Sequence, residues 1–407
     1  MNKVFADEED RKWCGRDMKI LFTVDNYYPR MSGVPVVAKY LAEGLLNQGH
    51  EVHIATRWVE GRNQEEDYHG VLIHRFHINH DLRKKPKGTL AEYRKFVLES
   101  NFDAIVCECA QCVTTDAILP YLNNYNGKKI LHSHGFSGIL LKPFQKKSSL
   151  RNTIANTINY FNWKNYYGHW LKKYVNQFDT IFCLSEVDSS RTYLEQYVPN
   201  KVQILSNAAD DIFFEYDEKE NSLLKYVPNI DDKYFVSVAN YNEYKNQIGI
   251  LREYYQTSNN NYKMVFVGSR ETAYYSNLLK EKDKLDEHFG KRTVYFLTGV
   301  ERQDIPGIIK NASLYLVGSK FEEFSISLIE CMALGTPFIS TNVGNARILP
   351  GGETIDDISD MHNVIEKILS NQELKNKYSE NGRSYTRDNC RICDAVKKLE
   401  SVLLERE

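Results

Sequence analysis

"SLYLVGSKFEEFSISLIECMALGTPFIST", residues Ser313 to Thr341, packs a short apolar run, a charged turn, a helical segment and a second apolar run into 29 residues. Ile326, Ile329, Cys331, Met332 and Ala333 give the middle segment an apolar face, Gly335 supplies a stop and Pro337 prevents continuation. This is a strand, turn, helix, strand unit. Its turn, "KFEEF", lies at the carboxyl end of a strand and beside the amino end of a helix, where free N–H groups and the helix dipole favour phosphate. Carboxylates in that turn would repel a bare phosphate. Glu322 and Glu330 are instead acceptor-only groups suited to pairs of hydroxyls. A long ligand with a diphosphate flanked by sugars, such as a nucleotide-sugar, meets both demands.

The same alternation runs outward in both directions. "MKILFTVD" from Met18, a turn holding Gly33, and "VPVVAKYLAEGLLNQGHEVHIAT" form an opening strand, helix and strand, followed by the apolar runs "AIVCECA", "KILHSH" and "TIFCLS". After the charged stretch Ser206 to Ser222 the pattern restarts with "YFVSVANYNEYKN", "KMVFVGS" and "VYFLTGV". Two doubly wound α/β domains are predicted. The boundaries expected are 1–208, 209–385, and a last helix, about 386–407, returning to the first domain.

Composition supports two ordinary cores. The chain has 407 residues, 42% of them hydrophobic and 26% charged, with a formal net charge of −2, which argues against nucleic acid as a partner. The first residues, "MNKVFADEED", have no apolar core of a secretory signal, and no apolar run reaches the roughly 20 residues that span a bilayer. A cytoplasmic protein is expected, with the inner face of the membrane as a second station. Zinc is the sharp reading of "CECAQC" and "CRIC", but the two clusters lie far apart, so ordinary thiols are the default and no metal is expected.

The residues also carry a family resemblance. Glu322 and Glu330, "ALGTP" and "VGN" from Val343 together resemble the donor-site signature of glycosyltransferase family 4, retaining enzymes of the two-lobed GT-B fold with two Rossmann-like domains facing a cleft. "SHG" at Ser133 is similar to the strand-end histidine of the acceptor lobe, and "VANYNEYKN" to the segment carrying a basic diphosphate clamp. The resemblance implies a transferase that moves a hexose from a nucleotide diphosphate sugar, a UDP-sugar above all, to a glycan or lipid-linked acceptor in polysaccharide or glycoconjugate synthesis. No cofactor is implied, and no Asp-x-Asp stands beside a strand to hold a metal.

Position by position, the resemblance assigns Glu330 to the nucleotide ribose, Glu322 to the donor sugar and Lys245 to the diphosphate. The main-chain N–H groups of Phe324 and Ser325 would meet the sugar and phosphate end, Gly299 the base and Gly33 the diphosphate. His134 would lie under the transferred sugar. Asn240 stands where the family usually has arginine, with Arg270 as a substitute cation; Ala208 and Ser325 replace glycines, and so does Ser32 in the first loop. His132 and His134 alternate along a strand end, so they are expected on opposite faces, with His132 packing.

Two readings compete with transfer. An epimerase or phosphorylase on this scaffold is one, although no pyridoxal-binding lysine segment is visible; a non-catalytic partner, favoured by Asn240, is the other. The segment Asn152 to Tyr174 carries Ile154, Ile158, Phe161, Trp170 and Tyr174 among lysines. It reads as a core helix of the first domain, with a membrane-surface or lipid-acceptor element as its alternative.

Overall fold

The computed structural model describes residues 17–405 apart from 32, 82–83, 141, 143–149, 218–221, 229 and 231–232. Ser32 lies outside the described residues. Two compact units result: residues up to Ser206 with those from Cys393 onward, and Asn207–Ile392.

In the first unit, β1 (Lys19–Thr23), β2 (Glu51–Arg57), β3 (Glu65–Tyr68), β4 (Val71–Phe76), β7 (Ala104–Glu108), β8 (Lys128–His132), β9 (Thr180–Cys183) and β10 (Val202–Ile204) form one sheet; β5 (Ile78–His80) and β6 (Pro86–Gly88) pair as a separate ribbon. The order is β10-β9-β8-β7-β1-β2-β4-β3, parallel throughout except for the antiparallel edge strand β3. Central strands are buried on both faces: β7 shows no exposed residue from Ala104 to Glu108. That is why these strands read as unbroken apolar runs rather than alternating ones. Strand order reverses between β1 and β7.

The second unit is built from β11 (Tyr234–Val238), β12 (Lys263–Gly268), β13 (Val294–Thr298), β14 (Leu314–Val317), β15 (Phe338–Thr341) and β16 (Gly352–Ile355). All pairings are parallel and the order is β13-β12-β11-β14-β15-β16. Renumbered within the unit this is 3-2-1-4-5-6, the dinucleotide-fold order whose reversal, here between β11 and β14, opens a crevice at the carboxyl ends of the strands. Separate cores cover the two faces of the sheet, one around Tyr315, Leu328 and Met332, the other around Ile250, Phe266 and Ile365.

The return helix is Ile392–Leu404, beginning after the longer helix Gln372–Asn389, which stays with the second unit. It docks on the helix Val34–Asn47 at Gly44, where a Cβ would stand 2.3 Å from a Val396 methyl. Polar contacts flank that seam: Glu400 Oε1 lies 3.1 Å from His50 Nε2, and Lys128 Nζ donates to the Glu405 carbonyl at 2.6 Å.

The segment from residue 150 departs from the core-helix expectation. In the helix Leu150–Asn165, Trp163 packs on the core while Ile154, Ile158 and Phe161 are exposed. A π-helical turn, Tyr166–Leu171, then resets the register and buries Tyr166, Tyr167 and Leu171, with Trp170 and Tyr174 packed beside them. Only the second half behaves as a core element. No described helix is long and apolar enough to cross a membrane.

Gly44→Leu is expected to unseat the return helix through overpacking, lowering unfolding free energy by about 2 kcal/mol in denaturant titration. Gly44→Ala should cost less, because only the Val396 methyls must shift.

Candidate active site

The second unit gathers most of the residues singled out in the sequence at the β11/β14 reversal. After β11 the chain turns through Asn242, whose Oδ1 accepts the N–H groups of Tyr244 and Lys245, both at 3.0 Å. Buried Tyr241 anchors the turn, its hydroxyl donating to the carbonyls of Phe266 and Leu297 at the ends of β12 and β13. Gly268 has no side chain because a Cβ would enter the Tyr241 ring. The turn after β14 is tied to it directly, Lys320 N–H donating to the Tyr244 carbonyl at 2.7 Å. As a result Lys245 Nζ pairs with Glu322 Oε1, which also accepts from Ser319 Oγ at 2.9 Å. Eight residues on, Glu330 is 5% exposed on the helix Ile326–Ala333, and Arg302 Nη2 donates to its Oε1 at 2.6 Å.

Burial pushes the Glu330 carboxyl above the ordinary carboxylate range, and Arg302 offsets part of that rise. The Arg302 guanidinium also lies over the Phe213 ring at 4.7 Å. Asn240 is exposed and contributes its carbonyl to Gln247 Nε2 at 3.0 Å. Arg270 is exposed too and makes no ion pair among the described residues; the added cation in this corner is Arg302, far away in sequence.

The main-chain N–H of Ser325 is not free for a ligand. It donates to Asn345 Oδ1 at 2.8 Å, because the "VGN" loop passes directly beneath the charged turn. Gly344, at φ 54°, makes that passage possible: a Cβ would stand 2.9 Å from the Glu322 carbonyl oxygen and 2.8 Å from that of Glu323. The other amide atom, Asn345 Nδ2, is buried without a hydrogen-bond partner among the described residues. Phe324 is half-buried against the core of this unit. Gly299 follows β13 at φ 71° with open space where a Cβ would be.

In the first unit, Gly33 is the N-cap of the helix Val34–Asn47 at φ 67°, again with open space at its Cβ position. Histidines 132 and 134 depart from the alternation expected of a strand. β8 ends at His132, and His134 takes φ 53°, which turns its side chain back to the same side. The two rings lie 3.9 Å apart and both face Glu108, at the end of the neighbouring strand β7. His134 Nε2 hydrogen-bonds Glu108 Oε2, and His132 Nδ1 stands 3.2 Å from the same oxygen without hydrogen-bond alignment. The His134 imidazole is only 5% exposed although the residue is half-buried overall, so main chain is what it presents to solvent.

Burial alone would raise the Glu108 carboxyl, but the two imidazoles outweigh it and hold it down at about 2. Burial holds the His134 imidazole below its ordinary value. These three residues are the group with metal-ligand spacing among the described residues, their ligand atoms lying within 4.8 Å of one another; no cysteine joins such a group. Glu108, Arg302 and Asn345 were not assigned roles from sequence. For Glu108 a signal existed: it is the charged residue inside the otherwise apolar run "AIVCECA".

Glu108→Leu removes the shared acceptor of two buried imidazoles and should cost roughly 3–5 kcal/mol of stability, read by denaturant titration. Both Glu108 and His134 bind protons less readily folded than unfolded, so stability should be full above about pH 6.5 and decline as pH falls, first through His134 and then through Glu108. Thermal midpoints across that range in wild type and Glu108→Gln check the sign.

Comparison with known proteins agrees with this architecture in both units. The family model described as Glycosyltransferase Family 4 matches residues 31–212, and that described as Glycosyl transferases group 1 matches residues 218–385. The chain is 22% identical over 386 residues to N-acetyl-alpha-D-glucosaminyl L-malate synthase of Bacillus anthracis, covering 92% of this chain and 94% of the relative. Similar solved structures include a glycosyltransferase of Rickettsia africae (TM-score 0.72, 15% identity, 96% and 98% covered). Another is HepE of Anabaena in complex with UDP (TM-score 0.68, 15% identity, 95% and 99% covered). At these identities the structures show the fold, which is GT-B, while the two family models span most of the sequence. The chain belongs to glycosyltransferase family 4.

Proposed function

We propose that this glycosyltransferase moves a hexose from a UDP-sugar to a hydroxyl of a glycan or lipid-linked acceptor with retention of anomeric configuration, in the cytoplasm, for polysaccharide or glycoconjugate synthesis. One observation carries the reading: the β11/β14 reversal brings Lys245 and Glu322 into an ion pair, and the helix that follows the same turn carries a buried Glu330. The complex of HepE with UDP supports the choice of base.

Without ligand, Lys245 is neutralised by Glu322. When a donor enters, the lysine turns to the diphosphate and the glutamate to the sugar hydroxyls, so each charge exchanges one partner for another. Ser319 Oγ keeps Glu322 oriented during that exchange. Glu330 accepts from the ribose hydroxyls, with Arg302 offsetting part of the burial that raises its carboxyl. Asn345 Nδ2 supplies the donor that the occupied Ser325 N–H cannot.

In the reaction the bond from C1 to the diphosphate oxygen breaks while the acceptor oxygen bonds C1 on the same face. The acceptor proton passes to the departing phosphate oxygen, whose charge Lys245 stabilises. Cationic side chains supply that stabilisation in this reading, so added magnesium or manganese should not raise kcat. The His134 turn lines the acceptor side through its main chain, with Glu108 fixing the ring behind it. Gly299 offers open main chain for the base in the second unit.

The test is a thermal-shift series of nucleotide diphosphates and their sugars. UDP and one UDP-sugar should stabilise the wild type and not Glu330→Ala; stabilisation by a guanine or adenine nucleotide alone would replace the UDP reading. Product anomeric configuration by proton NMR decides retention. Lys245→Ala is expected to lower kcat by about 10²–10³ with a smaller change in KM. Because the Glu330 carboxyl titrates above the ordinary range, UDP affinity should weaken on acidification well before an ordinary carboxylate would protonate. Glu330→Gln should flatten that dependence in calorimetric titrations.

A further inference from the structure

The helix Leu150–Asn165 turns the usual amphipathic pattern around. Its inward side carries Trp163, packed so closely on the preceding turn Ser137–Leu140 that a Cβ on Gly138 would stand 2.8 Å from the indole. Its outward side carries Ile154, Ile158 and Phe161 at 52, 54 and 53% exposure, spaced i, i+4 and i+7 along one stripe. Exposed Arg151 and Lys164 flank the stripe on its two sides. On the adjoining turn Ile139 and Leu140 are also exposed, and Asn156 Nδ2 donates to the Lys142 carbonyl at 3.0 Å, tying exposed Lys142 to the same helix.

Charge identifies the occupant. Residues 117–178 hold nine lysines and arginines and not one aspartate or glutamate, although the whole chain has a net charge of −2, so positive charge is concentrated in this segment. Among the described residues, the exposed cations on this helix or tied to it are Lys142, Arg151 and Lys164, and a second copy laid on the face would bring these like charges together. An anionic bilayer satisfies both features, taking the apolar stripe into the boundary between headgroups and acyl chains and the cations onto phosphates.

We propose that this face docks the protein on membranes rich in anionic lipid. The docking surface begins three residues after the His134 turn, in the same unit, so a bilayer held there delivers a lipid-borne acceptor to the strand ends. That consequence rests on the function proposed above; the docking does not.

Co-sedimentation of the full chain with vesicles of phosphatidylcholine alone, and of phosphatidylcholine with phosphatidylglycerol, tests it. Binding is expected only to the anionic vesicles, weakening with salt, and falling at least about tenfold in the double variant Ile158→Glu, Phe161→Glu. The UDP thermal shift of that variant should match wild type, which establishes that it is folded. No binding to anionic vesicles, or equal binding by the variant, would overturn the proposal. So would a concentration-dependent dimer in sedimentation velocity that the variant abolishes, because a second copy would then be the occupant. A UDP response without vesicle binding removes the docking and leaves the donor reading, whereas vesicle binding without any nucleotide response does the reverse.

Discussion

The reversal of strand order between β11 and β14 is the constraint on which the charged corner of the second unit depends. Because the chain winds away from β11 in one direction and returns on its other side, the crossover helices leave to opposite faces and the carboxyl ends of these two strands stay uncovered. Two turns then meet there that are about 77 residues apart in sequence. The hydrogen bond from Lys320 N–H to the Tyr244 carbonyl joins their main chains, and the Lys245 to Glu322 pair joins their side chains. Gly344 and Asn345 close the floor beneath them.

The first unit uses its own reversal, between β1 and β7, to a different end. Glu108 ends β7 inside the protein, and the chain leaving β8 bends back to give it two imidazoles. The two buried glutamates therefore differ in character. Glu108 is compensated by neighbours that share its burial and is held ionised, whereas Glu330 has a half-exposed Arg302 whose attraction solvent screens, and its carboxyl rises. An ionised Glu108 orders the turn that carries His134.

Much of the fold was legible because doubly buried strands and amphipathic helices leave local signals. "SLYLVGS", "KMVFVGS" and "VYFLTGV" announced three strands of one sheet, and Gly335 announced the end of a helix. β16 and the β3 edge escaped, since "GETI" and "EEDY" are short, polar and half-exposed. The inward side of the helix Leu150–Asn165 could not be told from its outward side, because both carry large apolar or aromatic residues and only packing chooses between them.

The sequence by itself determined the alternation of elements, the two-unit organisation and the residue types at the strand ends, since each depends on periodicity and turn chemistry within some ten residues. Partnership was decided by tertiary structure alone. His132 and His134 share a face because a positive φ at residue 134 breaks the alternation, the Ser325 N–H is taken by Asn345, and Arg302, which carried no assigned role, reaches the buried glutamate. Each of these joins residues that are distant in the chain or hinges on one backbone torsion, and local pattern carries no record of either.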